Sequence, residues 1–313
     1  MIFSRRFFAY LSAVLFSTII GFSFMFVKLA LRYTSPLDVL ADRFTLAFLF
    51  SMIILLAAGI RLSIHLRDVL RFLPISLLNP CFYFLTQALG LTSLPATEAG
   101  IIQALLPIFT LLLAAFLLKE KTNGIQKFSI VLSVSGVLFI FLMMGGHLGE
   151  ARWLGILLFI LSTLSYAGYN VLARAMTQKY RMIDMTYIMI FIGFISFNFM
   201  ALINHLIQGT LSQYVQPFFH PLFFISVLYL GVFASFITFF LSNFALSEIQ
   251  ASKFGAFTNL TTIISIFSGA VFLNENLYYY HYVGAVLVIL GVIGVNIFSV
   301  IRESETANPK NQL

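Results

Sequence analysis

Charged residues are scarce in this sequence. Only 18 Lys and Arg and 11 Asp and Glu occur among 313 residues, a charged fraction of 9%, whereas soluble domains carry about 25%. Hydrophobic residues make up 60% of the chain, and the mean hydropathy is +1.00. So few charges cannot give a soluble protein of this size a polar surface. The composition excludes a cytosolic enzyme and an ordinary nucleic-acid-binding protein, and it predicts a membrane protein.

Groups that could carry out chemistry are also few. The single cysteine, Cys81, excludes an internal disulfide and a metal site with several thiolate ligands. The five histidines fall in loops or at the ends of apolar runs, and no carboxylate lies at the centre of such a run. We therefore expect no metal, no cofactor and no enzymatic activity.

Apolar runs of about 20 residues are long enough to cross the ~30 Å hydrocarbon core of a bilayer as α-helices. The backbone of an open sheet edge cannot be satisfied in lipid, so the runs are predicted to be helical. The fold class that follows is an all-α membrane protein with ten transmembrane helices. The predicted spans are Phe7–Leu31, Leu37–Ile60, Leu70–Leu91, Ala96–Leu118, Ile125–Met144, Arg152–Gln178, Asp184–Leu206, Phe219–Leu246, Ala251–Leu273 and Tyr279–Val300.

Lys and Arg are unevenly distributed between the two sides that ten alternating spans define. Fourteen lie on the side of the chain termini and three, Lys28, Arg32 and Arg152, on the other, while Arg43 falls inside a span. Cytoplasmic loops of membrane proteins are enriched in basic residues. Both termini are therefore predicted to be cytoplasmic, and the net charge of +7 is explained without a nucleic-acid partner.

The chain matches itself at an offset of 155 residues over about fifty positions, the pattern of an internal repeat. The matched pairs include Gly100 with Gly255, Glu120 with Glu275, and Gly136 with Gly291. Each half holds five predicted spans, so the second half must enter the membrane from the opposite face, as in the inverted repeats of many transporters. We predict one repeat in residues 1–146, a second in residues 147–301, and a polar cytoplasmic tail in residues 302–313.

Together these features resemble the EamA-type transporters of the drug/metabolite transporter superfamily. They are the five-plus-five spans, the basic Lys28 near the end of span 1, the Pro36–Arg43 run, and the Glu that closes spans 4 and 9. The resemblance implies a plasma-membrane carrier that exports a small metabolite, such as an amino acid, by alternating access. Its partners would be the metabolite and the lipid bilayer, with the oligomeric state left open. The alternative is a membrane-embedded structural, sensory or lipid-modifying protein, for which no catalytic constellation is visible.

Polar side chains inside the spans are the candidate cargo contacts, because an unpaired polar group in hydrocarbon is costly. The resemblance implies a cavity lined by spans 1, 3, 4, 6, 8 and 9. Asn79, Tyr83 and Gln87, spaced at i, i+4 and i+8, are predicted to share one face of span 3. A structural role is the alternative, since Ser and Thr bond their own backbone while Asn and Gln join helices. The candidate set is Asn79, Tyr83, Gln87, Gln103, Tyr166, Tyr169, Asn170, Thr238, Asn243, Thr258, Asn259 and Thr262.

Charged residues within the spans are possible further contacts. Arg43 could meet a carboxylate of the cargo or of a partner such as Glu98. Proton coupling would have to use Asp42 or Glu98, and exchange and facilitated diffusion are the alternatives. Lys28, Arg174 and Lys253 are predicted to extend their long side chains to the membrane interface.

Glu120 and Glu275 are the best-matched charges of the repeat, and each ends a span. A carboxylate in that position can accept backbone N–H groups and meet the positive end of the following helix. We therefore predict that both residues serve the fold or a conformational switch more than the cargo.

Overall fold

The computed structural model describes residues 5–63, 66–118, 124–143, 150–249 and 251–306 of the chain. Within these residues the secondary structure is helical and contains no β-strand. The predicted all-α fold class is therefore confirmed for the part of the chain that the structure describes.

We number the long helical segments α1 to α10 in chain order. Their bounds lie within a few residues of the predicted spans. Two 3-10 turns, Leu211–Gln213 and Gln216–Phe219, lie between α7 and α8. The segments are α1 Arg5–Ala30, α2 Pro36–Ala57, α3 residues 66–93, α4 residues 96–118, α5 Gly124–Met143, α6 Glu150–Met176, α7 Met182–Gln208, α8 Pro221–Glu248, α9 Ala251–Phe272 and α10 Tyr279–Thr306.

Seven of these segments, α1, α2, α3, α4, α6, α7 and α8, are long and apolar enough over their described residues to cross a membrane. The described parts of α5, α9 and α10 contribute the shorter apolar stretches Lys127–Met143, Asn259–Phe272 and Tyr279–Gly291. The chain is therefore a multi-pass membrane protein, and the count of ten spans stays a prediction.

Two of the helices depart from α-helical geometry at matching places. In α3 the departure is a kink within Leu77–Phe82, and in α8 it is a π-helical stretch at Tyr229–Ile237. Within the first, Asn79 leaves helical geometry, with φ −144° and ψ 117°. The predicted common face of span 3 therefore holds only for Tyr83 and Gln87, because the break at Asn79 interrupts the helical register. Such π-helical stretches free backbone groups from the helix and occur frequently at functional sites.

The helix packing follows a regular pattern. α5 packs on α10, α2 on α7, and α4 on α9. α1 packs on α9 and α8, while α6 packs on α4 and α3. α2 packs on α8, while α7 packs on α3. This pattern is symmetric between the two halves of the chain. When every helix is exchanged for the one five places away in chain order, each pair either stays the same or becomes another pair of this set.

Glycines permit the close approach of α5 and α10. A methyl group at Gly136 would stand 2.7 Å from the carbonyl oxygen of Gly284, and one at Gly291 would stand 2.5 Å from that of Ser129. Gly284 and Ser129 are themselves separated by the repeat offset of 155 residues. The two contacts are therefore equivalent under exchange of the halves.

Candidate functional site

Three tyrosines form a contiguous group between α3 and α6. The ring centroids of Tyr83 and Tyr166 are 4.7 Å apart, and those of Tyr166 and Tyr169 are 5.4 Å apart. Each side chain is buried. Residues three apart share a helix face, and of the two rings on α6 that of Tyr166 contacts α3. We call Tyr83, Tyr166 and Tyr169 the tyrosine cluster.

Amide side chains extend the tyrosine cluster within α3 and across to α8. Nε2 of Gln87 donates to the hydroxyl oxygen of Tyr83 at 2.7 Å. The hydroxyl of Tyr169 donates to Oδ1 of Asn243 at 2.8 Å, and Nδ2 of Asn243 donates to Oγ1 of Thr186 at 3.1 Å. The fold therefore brings Gln87 and Asn243 of the candidate set to the cluster.

Two hydroxyls of α6 join this region to α4 and α3. Oγ1 of Thr163 donates to Oε1 of Gln103 at 3.3 Å. Oγ of Ser162 donates to the carbonyl oxygen of Tyr83 at 2.8 Å. Gln103 is 2% exposed, so its amide lies in the interior beside α6 and not against lipid.

Arg43 is buried beside the tyrosine cluster, with 1% of the residue exposed. Its Nε donates to Oγ of Ser235 at 2.7 Å, and Nη2 donates to the carbonyl oxygen of Ala234. Its Cζ lies 4.1 Å from the ring centroid of Phe84, whose ring is 4.6 Å from that of Tyr83. Arg43 is the eighth residue of α2, about 10 Å along the helix axis. Its guanidinium therefore meets the centre of α8, within the π-helical stretch.

Several buried polar atoms near this depth have no hydrogen-bond partner within the described residues. They are Nη1 of Arg43, both amide atoms of Asn79 and of Asn170, and Oδ1 of Asn259. No ion pair among the described residues of the chain includes Arg43. An unsatisfied buried group costs about 1–3 kcal/mol, and more when charged. An unpartnered buried polar group is a candidate for contact with a ligand.

Two threonines of the candidate set, Thr238 and Thr262, bond to backbone carbonyls and not to the tyrosine cluster. Oγ1 of Thr238 donates to the carbonyl oxygen of Ser235 in its own helix at 3.2 Å. Oγ1 of Thr262 donates to the carbonyl oxygen of Gly100 at 2.8 Å and so joins α9 to α4. Thr238 and Thr262 thus have the structural contacts that were the alternative to cargo binding. The side chain of Thr258 lies outside the described residues.

Asp42 belongs to a separate polar group at the start of α2. Tyr214 in the α7–α8 loop donates its hydroxyl to Oδ1 of Asp42 at 2.6 Å. Burial raises the pKa of Tyr214, as does the adjacent Asp42 carboxylate, so this hydroxyl stays protonated and remains a donor at physiological pH. One turn earlier, Oδ1 of Asp38 lies 2.9 Å from Nε2 of His205.

Glu98 does not pair with Arg43. It forms an ion pair with Arg152 at the start of α6, and Nε2 of His281 lies 3.9 Å from the same carboxylate oxygen. The suggestion of an ion pair between Arg43 and Glu98 is therefore wrong. Glu98 lies in the first turn of α4, whereas Arg43 contacts the middle of α8.

Lys28 and Arg174 bind helix ends, and their extension to the membrane interface stays a prediction, as does that of Lys253, whose side chain lies outside the described residues. Nζ of Lys28 donates to the carbonyl oxygens of Leu91 and Leu94, at 3.0 and 2.9 Å. A guanidinium nitrogen of Arg174 donates to the carbonyl oxygen of Leu246. Leu91 and Leu246 are matched in the repeat. Each basic group thus meets the last carbonyls of a neighbouring helix, where the helix dipole is negative.

Glu275 accepts two backbone N–H groups, from Ala96 at 2.7 Å and from Thr97 at 2.9 Å. These residues begin α4, where a carboxylate is stabilising. The capping prediction is confirmed for Glu275, but the capped helix lies in the other half of the chain and is not the following α10. Its repeat partner Glu120 lies outside the described residues.

Side chains that contact the candidate residues but were not in the set include Phe84, Ser162, Thr163 and Thr186. Ser162 had a recognisable signal, because it precedes Tyr166 by four residues and shares its helix face. Thr186 had none, because α7 was not among the spans expected to line a cavity. Its role depends on the long-range contact between α7 and α8.

Known proteins resemble this chain over most of its length. A profile described as the EamA-like transporter family matches residues 7–142 and 153–297. The uncharacterized transporter YcxC of Bacillus subtilis (strain 168) is 48% identical over 289 residues, which cover 92% of this chain and 93% of that protein.

Two more distant similarities add to this. The S-adenosylmethionine uptake transporter of Rickettsia prowazekii (strain Madrid E) is 27% identical over 188 residues, which cover 59% of this chain and 58% of that protein. A protein of known crystal structure shares 18% identity, with a TM-score of 0.63, over 95% of this chain and 99% of that one. This last similarity concerns the fold alone.

Proposed function

The chain belongs to the EamA-like transporter family, and on that premise we propose that it is a secondary transporter of the plasma membrane. We propose that it exports a small metabolite, an amino acid or a related compound, by alternating access. The cargo site in this proposal is the tyrosine cluster with Arg43 and the amides around it. A carrier of this kind needs no cofactor and carries out no enzymatic step.

The observation that carries the proposal is the set of buried polar atoms without a partner beside the tyrosine cluster. Nη1 of Arg43 and the amides of Asn79 and Asn170 are in this state within the described residues. A purely structural bundle gains nothing from such groups, because apolar side chains of similar volume would be at least as stable there. A bound cargo would supply the missing partners.

The packing supports two inverted repeats and ten membrane spans. The helix pairs are preserved when the halves are exchanged, and so are the contacts of Gly136 and Gly291. The Lys28–Leu91 and Arg174–Leu246 contacts follow the same exchange. Two halves that can each adopt the other's conformation are what alternating access requires.

The chemistry of the site favours an amino acid as cargo. A guanidinium binds a carboxylate in a planar, charge-assisted arrangement, which Arg43 could offer through Nη1. The rings of the tyrosine cluster can bind an aromatic group or a cation over their faces. A relative is named for S-adenosylmethionine, a compound that combines a carboxylate, a cationic centre and a planar base.

Transport by purified protein in proteoliposomes tests the proposal. Vesicles loaded with labelled amino acids or S-adenosylmethionine, with and without a pH gradient, should show saturable flux for at least one compound. Preparations of fixed orientation would separate export from uptake. The Asn170→Leu variant should lose at least about tenfold in flux, because it removes a buried amide that the proposal assigns to the cargo. The same change at Asn204, near the end of α7, is the control. Folded protein with no saturable flux for any compound would favour a structural or sensory role.

Both termini are predicted to face the cytoplasm, because fourteen of the 18 Lys and Arg residues lie on that side of ten alternating spans. A cysteine added at position 313 should react with an impermeant thiol reagent only after the cells are broken open. The measurement uses a Cys81→Ser background, so that the added thiol is the only one. Labelling of intact spheroplasts would contradict both the orientation and the even number of spans.

Replacing Glu275 with Gln should lower the folded yield and the turnover while leaving the cargo affinity within a few-fold. The change removes the charge that caps α4, an effect of about 0.5–2 kcal/mol. Size-exclusion yield, melting temperature and binding affinity are the measurements. Glu248→Gln is the matched control, because the ion pair of Glu248 among the described residues is with the exposed Arg5. A hundredfold loss of affinity in folded Glu275→Gln would instead place this residue in the cargo site.

A further inference from the structure

Three basic residues of the side predicted to be extracellular line one cavity. Lys28, Arg32 and Arg152 are the only Lys or Arg that ten alternating spans place on that side. Lys28 lies in α1, and Arg32 lies in the turn that follows it. Arg152 lies at the start of α6, more than 100 residues later in the sequence. The cavity has a volume of about 350 Å³, and its lining residues are Lys28, Arg32, Ser93, Leu94, Pro95, Arg152, Leu273 and Glu275. We call it the outer vestibule.

The acidic groups of the outer vestibule are already bound to the protein. Both oxygens of Glu275 accept backbone N–H groups of α4. The neighbouring Glu98 is 2% exposed and pairs with Arg152. Both carboxylates still act electrostatically on Lys28, so the cavity and its surroundings hold three cationic groups against two carboxylates.

The remaining positive charge is not compensated by any ion pair among the described residues. Lys28 donates to two neutral carbonyl oxygens, which satisfy its hydrogen bonds but not its charge. Arg32 is close enough to act electrostatically on Lys28, and its side chain is exposed to the cavity and solvent. Positive charges held together in a cleft with low-dielectric walls attract anions strongly.

The outer vestibule lies between the same segments that hold the tyrosine cluster and its neighbours. Its walls come from α1, the α3–α4 turn, the start of α6 and the end of α9. α3 and α6 continue from there to Tyr83 and Tyr166. Between the two places α3 and α6 are in contact, since a methyl group at Gly90 would stand 3.0 Å from the carbonyl oxygen of Gly155, so passage of cargo to Arg43 requires these helices to separate.

We propose that the outer vestibule is an anion-binding site that receives the carboxylate of the cargo on the extracellular side of Arg43. This assignment of the anion rests on the proposed transport function. The positive charge of the vestibule does not rest on that function. An anion site gives a role to the three basic residues that lie on the side opposite the cytoplasmic enrichment in Lys and Arg. The cargo would pass from one cationic site to the next, so compounds with a free carboxylate are preferred over their amides.

Thiol-modification rates test the charge of the vestibule without knowledge of the cargo. In a Cys81→Ser background, Ser93→Cys places one thiol in the cavity lining. Thr92→Cys places one on the adjacent exposed residue, which does not line the cavity. The probes are anionic 2-sulfonatoethyl and cationic 2-(trimethylammonio)ethyl methanethiosulfonate. We expect the anionic-to-cationic rate ratio to be about tenfold higher at position 93 than at position 92, because a cationic cleft concentrates anions.

Charge-removing variants and competing anions complete the test. Arg32→Gln should lower the ratio at position 93 even if Lys28→Met fails to fold, and sodium acetate should slow the anionic reagent more than sodium chloride of equal ionic strength. Equal ratios at the two positions, or a ratio unaffected by Arg32→Gln, would overturn the anion site. Protection by phosphatidylglycerol vesicles but not by acetate would assign the site to a lipid headgroup and overturn the cargo assignment.

The preference for a carboxylate is a separate test. Normal flux of a carboxylate cargo with no preference over its amide would also overturn the cargo assignment. If the protein shows no flux of any cargo but has the expected anionic-to-cationic rate ratio at position 93, the proposed transport function is contradicted and the anion site is not.

Discussion

Replacing Arg43 with Met is expected to reduce transport at least about thirtyfold while leaving the melting temperature unchanged or raised. The guanidinium is 1% exposed, and within the described residues its Nη1 has no partner and no carboxylate pairs with it. Burying a charge without an ionic partner costs several kcal/mol, so an apolar residue of similar length should stabilise the empty protein. Losing a buried charged contact to cargo costs about 2–5 kcal/mol, and each 1.4 kcal/mol corresponds to about tenfold.

The combination of a stable fold and lost transport distinguishes a cargo contact from a structural role. Arg43→Lys should recover part of the flux, because the charge remains but the planar fork toward Ser235 and Ala234 is lost. Arg5→Met serves as the control, since Arg5 is exposed and paired only at the surface. Unchanged flux in Arg43→Met, or a large fall in its melting temperature with proportionate loss of flux, would contradict the assignment of Arg43 to the site.

Replacing Gly291 with Ala should sharply reduce the yield of folded protein. A methyl group there would stand 2.5 Å from the carbonyl oxygen of Ser129 and 2.8 Å from the amide nitrogen of Ser133. These are backbone atoms, which cannot move aside as the end of a flexible side chain can. Overpacking of this kind costs about 1–3 kcal/mol even where side chains can adjust, and here α5 and α10 must separate over their whole contact.

Gly124→Ala is the matched control for that experiment, because no atom lies within 4 Å of the position a methyl group would take there. Its melting temperature should equal that of the unchanged protein. The measurement is the monodisperse fraction in detergent together with the melting temperature. A Gly291→Ala protein with normal yield and stability would show that α5 and α10 do not pack as described, and it would weaken the equivalence with Gly136.

The sequence by itself determined the class of protein and the position of its helices. Hydropathy is a local property, and a run of about 20 apolar residues can satisfy its backbone in lipid only as a helix. The repeat at 155 residues also identified the Glu275 position as structural before its partner was known. The tyrosines at 166 and 169 could be placed on one face from their spacing alone, because α6 is regular there.

The tertiary structure decided which groups meet. Lys28 binds the end of α3 at a separation of 63 residues, and Glu275 binds the start of α4 at 179. Neither partner follows from local pattern, because many helix ends could accept the same charge. The break at Asn79, by contrast, had a local signal that the expected regular helix did not use, because a residue before proline is pushed out of helical geometry and Pro80 follows Asn79. Whether a buried polar side chain joins helices or awaits a ligand is decided by which partners lie within hydrogen-bond distance, and only the folded bundle fixes those distances.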